Sequence, residues 1–182
     1  MTKLPLLCIP FPQHETIKPL LRQWLLSLAD KTPDKESNLT KRQSYFQHKW
    51  LSHNQLHLSG NEQLEQLSTF IENAVNKHLR NNSGNNTLSI FSMWSIISKP
   101  GMLGLPHNHV GHVSSIYYVD TGTSGESDGG QLHFYLSNLS KLPSHSITPK
   151  PGHLYLFPSS LHHSVSPYQG NKPRIIISAN LK

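Results

Sequence analysis

From Leu88 onward the chain runs as a series of short apolar segments rich in β-branched and aromatic residues. They are Leu88–Ser98 (LSIFSMWSIIS), Val113–Val119 (VSSIYYV), Gln131–Leu136 (QLHFYL), His153–Phe157 (HLYLF) and Arg174–Ser178 (RIIIS). Each is bounded by Gly, Pro, Ser or Asn, so each reads as a strand between turns. Two amphipathic helices precede this block. Ile17, Leu20, Leu21, Trp24, Leu25 and Leu28 recur at helical spacing after Thr16, and Leu64, Leu67, Ile71, Val75 and His78 do so between Glu62 and Leu79. Residues 4–12 read as a short opening strand broken by prolines and 30–43 as a loop, and the segment 81–86 (NNSGNN) is expected to end the second helix. Helices followed by many short strands predict a mainly β fold, a double-stranded β-helix (jelly-roll or cupin-like barrel) with the two helices packed outside. One domain over 1–182 is expected, with 1–87 as helical support and 88–182 as the barrel core.

Composition narrows the classes. A chain of 182 residues can bury a core without staples, and its single cysteine, Cys8, allows no intrachain disulfide. A reducing, cytoplasmic setting is the expectation. The apolar N-terminal stretch is interrupted by Pro5, Pro10 and Pro12, and no run approaches a membrane span. The formal charge of +6 comes from scattered Lys and Arg, with no basic stripe alternating with aromatics. A nucleic-acid partner is therefore not expected, and an anionic small molecule accounts better for the charge. A homodimer stays open. Of the thirteen histidines, His14, His48, His53 and His57 sit in polar surroundings without ligand spacing.

Two histidine clusters differ. Pro106-His107-Asn108-His109 precedes the strand Val113–Val119, and Leu161-His162-His163-Ser164-Val165 follows the strand His153–Phe157. Histidines at i and i+2 in an extended segment can turn their nitrogens to one ion, and a third from a neighbouring strand completes a facial triad with open positions. Taken alone, either cluster fits surface loop histidines equally well. Arg174 opens an apolar strand eleven residues after His163. A buried arginine needs an anionic partner, and a dicarboxylate such as 2-oxoglutarate would supply one. Tyr117 and Tyr118 alternate along a strand, so only one faces the interior. Tyr117 is expected to be the pocket-lining one, while Trp94 and Phe134 read as core.

The joint order H-x-H, SSIYYV, GGQLHF, PGHLYLFPSSLHHSV and RIIISAN resembles the small 2-oxoglutarate/Fe(II)-dependent oxygenases, a family similar to the prolyl hydroxylases. The resemblance covers 88–182 well and 1–80 in outline. It implies His107, His109 and His163 as metal ligands, with His162 facing away, and Arg174 as the residue that takes the distal carboxylate of 2-oxoglutarate. Ser178 and Asn180 match the closing S-x-N and stand with Tyr117 on the cofactor side, and Gly129 and Gly130 match the turn before Gln131–Leu136. His109 falls where most such enzymes carry Asp or Glu, Val110 replaces a proline, and His112 is additional. His112, Asp120 and Asp128 are thus alternative second ligands. The implied activity is a dioxygenase using Fe(II), 2-oxoglutarate and O2 to hydroxylate a small molecule, with release of succinate and CO2. The rivals are a three-histidine cupin-type dioxygenase without 2-oxoglutarate and a non-enzymatic metal-binding barrel.

Overall fold

The computed structural model describes residues 6–32, 49–83, 87–122, 128–137 and 139–182, without the side chains of 80–83. Most of the loop expected over 30–43 lies outside these residues. In chain order the elements are β1 (Leu7–Pro10), α1 (His14–Lys31), β2 (Lys49–Leu51), a 3-10 turn (Leu56–Leu58) and α2 (Glu62–Ser83). There follow β3 (Ile90–Ser98), β4 (Gly104–His107), β5 (Val113–Asp120), β6 (Leu132–Tyr135), β7 (His145–Ile147), β8 (His153–Pro158), β9 (His162–Val165) and β10 (Arg174–Leu181).

Two antiparallel sheets form from them. The larger has the order β1-β8-β5-β10-β3-β2 and the smaller β4-β9-β6-β7. This is the jelly-roll arrangement that the run of short strands predicted, with both helices against the larger sheet. Four strands were not foreseen: β2, β4, β7 and β9 are only three or four residues long and carry Lys, His, Ser, Gly or Pro. Helix α2 also runs further than expected, through Asn81 and Asn82 to Ser83.

The helices bind the sheet through their apolar stripes. Ile17, Leu21 and Leu25 of α1 and Leu64, Leu67, Ile71 and Val75 of α2 are buried against Val113, Tyr117, Val119, Leu154, Leu156, Ile175 and Ile177. Burial of each such side chain contributes about 1.5–3 kcal/mol. Leu20 turns outward and is 56% exposed, so the stripe is narrower than the spacing suggested. Asn61 caps α2, its Oδ1 accepting the Leu64 N–H at 3.0 Å. Buried Asn76 satisfies both backbone groups of Leu88, donating to its carbonyl at 2.9 Å and accepting from its N–H at 2.8 Å. That pair fixes where the chain leaves α2 for β3.

The strand period then decides what faces the space between the sheets. Along β10, Ile175, Ile177, Ala179 and Leu181 join the helix-side core, while Arg174, Ile176, Ser178 and Asn180 line a cavity. The neighbours share this register, since Arg174, Ile176, Ser178 and Asn180 stand opposite Ser98, Ile96, Trp94 and Ser92 of β3. A second apolar cluster of Ile116, Tyr118, Leu132, Phe134, Tyr155, Phe157 and Ile176 seals part of the inter-sheet space. Among the described residues, no helix is long and apolar enough to cross a membrane.

Candidate metal centre

His107 ends β4 and stands opposite His163 of β9. His109 follows in the loop before β5, anchored by its backbone N–H to the Ser159 carbonyl at 2.9 Å. The chain then turns at Gly111, whose φ of +112° and close approach to the Leu181 carbonyl leave no room for a Cβ. His112 donates its backbone N–H to that same carbonyl at 2.8 Å.

This geometry brings three imidazoles together. One ring nitrogen from each of His107, His109 and His163 lies within 4.8 Å of the other two. Ring centroids are 4.9 Å apart for His107 and His109, 4.4 Å for His107 and His163, and 5.1 Å for His109 and His163. His107 Nδ1 lies 2.6 Å from the Leu105 carbonyl, and His163 Nδ1 lies 3.0 Å from that of Leu161. A carbonyl only accepts, so both Nδ1 atoms carry a hydrogen, which leaves Nε2 as the nitrogen of each ring available to an ion. His109 is steadied by the Trp94 ring, with centroids 5.4 Å apart, and His163 by Phe157 at 4.9 Å. Burial, assisted by the neighbouring His107, holds His163 down to about 3 and His109 to about 4, so both are neutral and ligand-ready near pH 7.

The other candidates for the second ligand sit elsewhere. His112 is exposed and outside the cluster. Asp120 pairs with Arg22 of α1 at 3.1 Å and accepts the Gly122 N–H at 2.9 Å. Asp128 is likewise outside the cluster. The clustered donors among the described residues are therefore three imidazoles, a set that could hold a divalent transition ion.

The same cavity, about 450 Å³, extends to Arg174. Arg174 is 3% exposed, yet only one of its nitrogens has a protein hydrogen-bond partner among the described residues. Its Nη2 donates to Tyr118 Oη at 3.1 Å, and its guanidinium carbon stands 5.1 Å from the Tyr118 ring centre. Burial raises the Tyr118 pKa, so the phenol stays neutral beside the guanidinium. No carboxylate among the described residues forms an ion pair with Arg174. Such a cation is costly to bury alone, and the open donors face a space where an acid fits.

The tyrosine beside the arginine is thus Tyr118. Tyr117 turns to the helix side and bonds His14 Nδ1 at 2.7 Å in the core under α1, which corrects the expectation that it lines the pocket. Alternation showed that one of the two faces in, but the parity depends on pairing with Ile176, which the sequence alone does not reveal. Ser178 and Asn180 line the cavity, and His162 is half-exposed on the strand beside Tyr135. Trp94 lines the cavity rather than the core, while Phe134 is core.

The two buried imidazoles predict a pH dependence of stability. Their folded pKa values lie below the ordinary 6.5, so the unfolded chain binds protons that the folded one refuses. The contribution is fully present above about pH 6.5 and is lost as pH falls from there towards 3–4. At about 1.4 kcal/mol per pH unit, His163 alone costs about 2 kcal/mol by pH 5, and half-buried His109 somewhat less. Urea unfolding of metal-free protein at pH 7 and pH 5 measures this. A flat profile, or one unaltered in His163→Gln, contradicts the neutral buried state.

The likeness to known proteins agrees with this geometry. Residues 92–180 match the family described as "Putative 2OG-Fe(II) oxygenase". No curated protein matches the chain by sequence. Among solved structures the chain is similar to a Pseudomonas putida prolyl-4-hydroxylase, with 16% identity and a TM-score of 0.69 over 100% of this chain and 93% of that one. It is similar to a prolyl hydroxylase in complex with a hypoxia inducible factor oxygen degradation domain peptide fragment from Trichoplax adhaerens, at 18% identity and a TM-score of 0.72, covering 97% and 82% of the two chains. HygX from Streptomyces hygroscopicus, with nickel and 2-oxoglutarate bound, gives 11% identity and a TM-score of 0.66 over 96% and 81%. At such identities these structures speak for the fold, while the family match spans the whole stretch from Ser92 to Asn180 that carries the triad and Arg174. Over those residues the chain is similar to the 2OG-Fe(II) oxygenases.

Proposed function

We propose that this chain hydroxylates a small, anionic organic molecule at an iron held by His107, His109 and His163. In this reading 2-oxoglutarate lies along the cavity with its distal carboxylate on Arg174 and its keto-acid end at the metal. When bound, Fe(II) and 2-oxoglutarate supply the oxidation of a substrate C–H bond by O2, so that substrate, 2-oxoglutarate and O2 become hydroxylated substrate, succinate and CO2. The observation that carries the proposal is the buried guanidinium of Arg174, short of partners, at one end of the cavity whose other end holds three convergent imidazoles.

The protein groups have separable tasks. The Leu105 and Leu161 carbonyls fix the tautomers of His107 and His163 and hold their ring planes. Arg174, backed by Tyr118, orients the acid lengthwise. Trp94, Ile96, Leu103 and Leu105 give the cavity an apolar wall that limits water beside the reacting carbon. His107 is exposed, so the metal end is the end open to an incoming substrate. The whole chain, 1–182, acts as one unit in this reading, with the helices supporting the larger sheet, and it works in the cytoplasm.

Mixing purified metal-free protein anaerobically with Fe(II) and 2-oxoglutarate tests the proposal. Bidentate chelation gives a weak visible charge-transfer band, and absence of that band in wild-type protein counts against the cosubstrate. A donor set of neutral imidazoles without a carboxylate also suits a three-histidine dioxygenase that needs no 2-oxoglutarate. That alternative predicts O2 consumption without succinate. A metal-binding barrel without activity predicts neither.

A further inference from the structure

Ser159 is fully buried and joins the metal-ligand segment to the cavity wall. Its carbonyl accepts the His109 N–H at 2.9 Å, and its own N–H donates to the His112 carbonyl at 3.1 Å. Its hydroxyl lies 2.9 Å from Ser114 Oγ, which in turn lies 2.8 Å from Asn180 Oδ1. All three residues are buried.

Ser114 Oγ is the donor in both contacts, 2.9 Å from Ser159 Oγ and 2.8 Å from the accepting Asn180 Oδ1, so its one hydrogen lies between two oxygens. The Asn180 oxygen is therefore engaged and its NH2 is left to face the cavity that Asn180 lines.

The position of that NH2 is informative. Asn180 stands opposite Ser114, and Ser114 stands opposite Phe157, whose ring packs on His163. The amide thus sits at the metal end. The two cations that line the cavity, Lys49 and Arg174, sit at the other end, both opposite Ser98. Six residues of strand, about 20 Å between Cα atoms, separate Arg174 from Asn180. An acid carboxylate at the metal end has no lysine or arginine of the cavity wall within its row.

We propose that Ser159 and Ser114 are positioning residues that fix the Asn180 amide as an N–H donor at the metal end of the cavity, where it takes a carboxylate oxygen of the acid bound there. The inference rests on the 2-oxoglutarate reading above. It assigns the two ends of that acid to different protein groups, Arg174 to the distal end and the serine-held amide to the proximal one. It also ties His109 to the same chain, because Ser159 carries both contacts.

Two acids separate the ends: 2-oxoglutarate, and oxalate, which has carboxylates to chelate the metal and nothing to reach Arg174. Binding of each to the Mn(II)-loaded protein is measured by calorimetry, with Mn(II) affinity and melting temperature as controls. Ser114→Ala should weaken both acids about five- to tenfold, the usual worth of one buried hydrogen bond, and leave Mn(II) affinity unchanged. Asn180→Asp keeps the shape and the contact with Ser114 but replaces the donor by a like charge, and should weaken both acids by about a hundredfold or more. Arg174→Met should weaken 2-oxoglutarate and spare oxalate. Oxalate binding untouched by Ser114→Ala and Asn180→Asp overturns the inference, as does a loss of acid binding only in step with Mn(II) binding. Failure of wild-type protein to bind 2-oxoglutarate while binding oxalate normally would instead overturn the cosubstrate reading.

Discussion

His163→Ala is expected to abolish 2-oxoglutarate turnover and to weaken Fe(II) binding by at least about a hundredfold, since even altering the partners of a ligand costs ten- to a hundredfold. Of the three clustered imidazoles, His163 has the most complete support. Its Nδ1 is fixed on the Leu161 carbonyl, its ring is held by Phe157, and it is 2% exposed. Among the described residues no fourth His, Cys, Asp or Glu joins the cluster, and His162, on the same strand, alternates to the other face. The metal-free variant should still fold. The lost ring sits at the cavity wall, and its removal also relieves the cost of keeping an imidazole neutral at low pH. The sharp measurement is the rise in melting temperature on anaerobic addition of Fe(II), present in wild type and missing in the variant. A variant that keeps this rise would show that the ion is held by other residues.

How much of this could be read beforehand depends on which residues carried the signal. The long strands β3, β5, β8 and β10 were legible because β-branched and aromatic residues repeat there, and the helical stripes because Leu21, Leu25, Leu64, Leu67 and Ile71 keep a helical period. β4 and β9 were not, although they hold two of the three clustered histidines. Their sequences, GLPH and HHSV, are short and polar because they face a site, and local propensity is weakest where chemistry sets the residues. The histidines themselves were legible through their spacing and order, and Arg174 through an arginine opening an apolar strand. Tyr118, Trp94, Ser114 and Ser159 were not, for a different reason. Their roles come from cross-strand register, which places Trp94 opposite Ser178 and Ser114 opposite Asn180. One signal was available for them, namely that β10 alternates Arg174, Ser178 and Asn180 with Ile175, Ile177, Ala179 and Leu181, so its polar face must meet polar or aromatic partners.

Replacing Arg174 by Met is expected to raise the KM for 2-oxoglutarate by about a hundredfold or more while leaving Fe(II) binding intact, the size expected when a buried charged partner of an anion is removed. Stability should move the other way or not at all. The guanidinium is buried with a single protein hydrogen bond among the described residues, so an apolar side chain of similar length removes a poorly compensated charge. Gly130→Ala tests the same contact without touching the arginine. Gly130 has a φ of +71°, and a Cβ there would stand 2.7 Å from Arg174 Nη1 and 3.3 Å from the Tyr168 ring. The glycine is what leaves the guanidinium its place between Tyr118 and the β6 turn. The alanine should cost about 1 kcal/mol through its left-handed backbone. Beyond that it should push the guanidinium off Tyr118 and raise the KM for 2-oxoglutarate about tenfold or more, since the fork no longer meets the acid. Combining Gly130→Ala with Arg174→Met distinguishes this from general loosening of the turn. If Gly130 acts through Arg174, the double variant is no worse in KM than Arg174→Met alone, whereas additive effects would mean that Gly130 shapes the cavity by another route. A wild-type KM in Arg174→Met would remove the acid-binding role of this end of the cavity altogether.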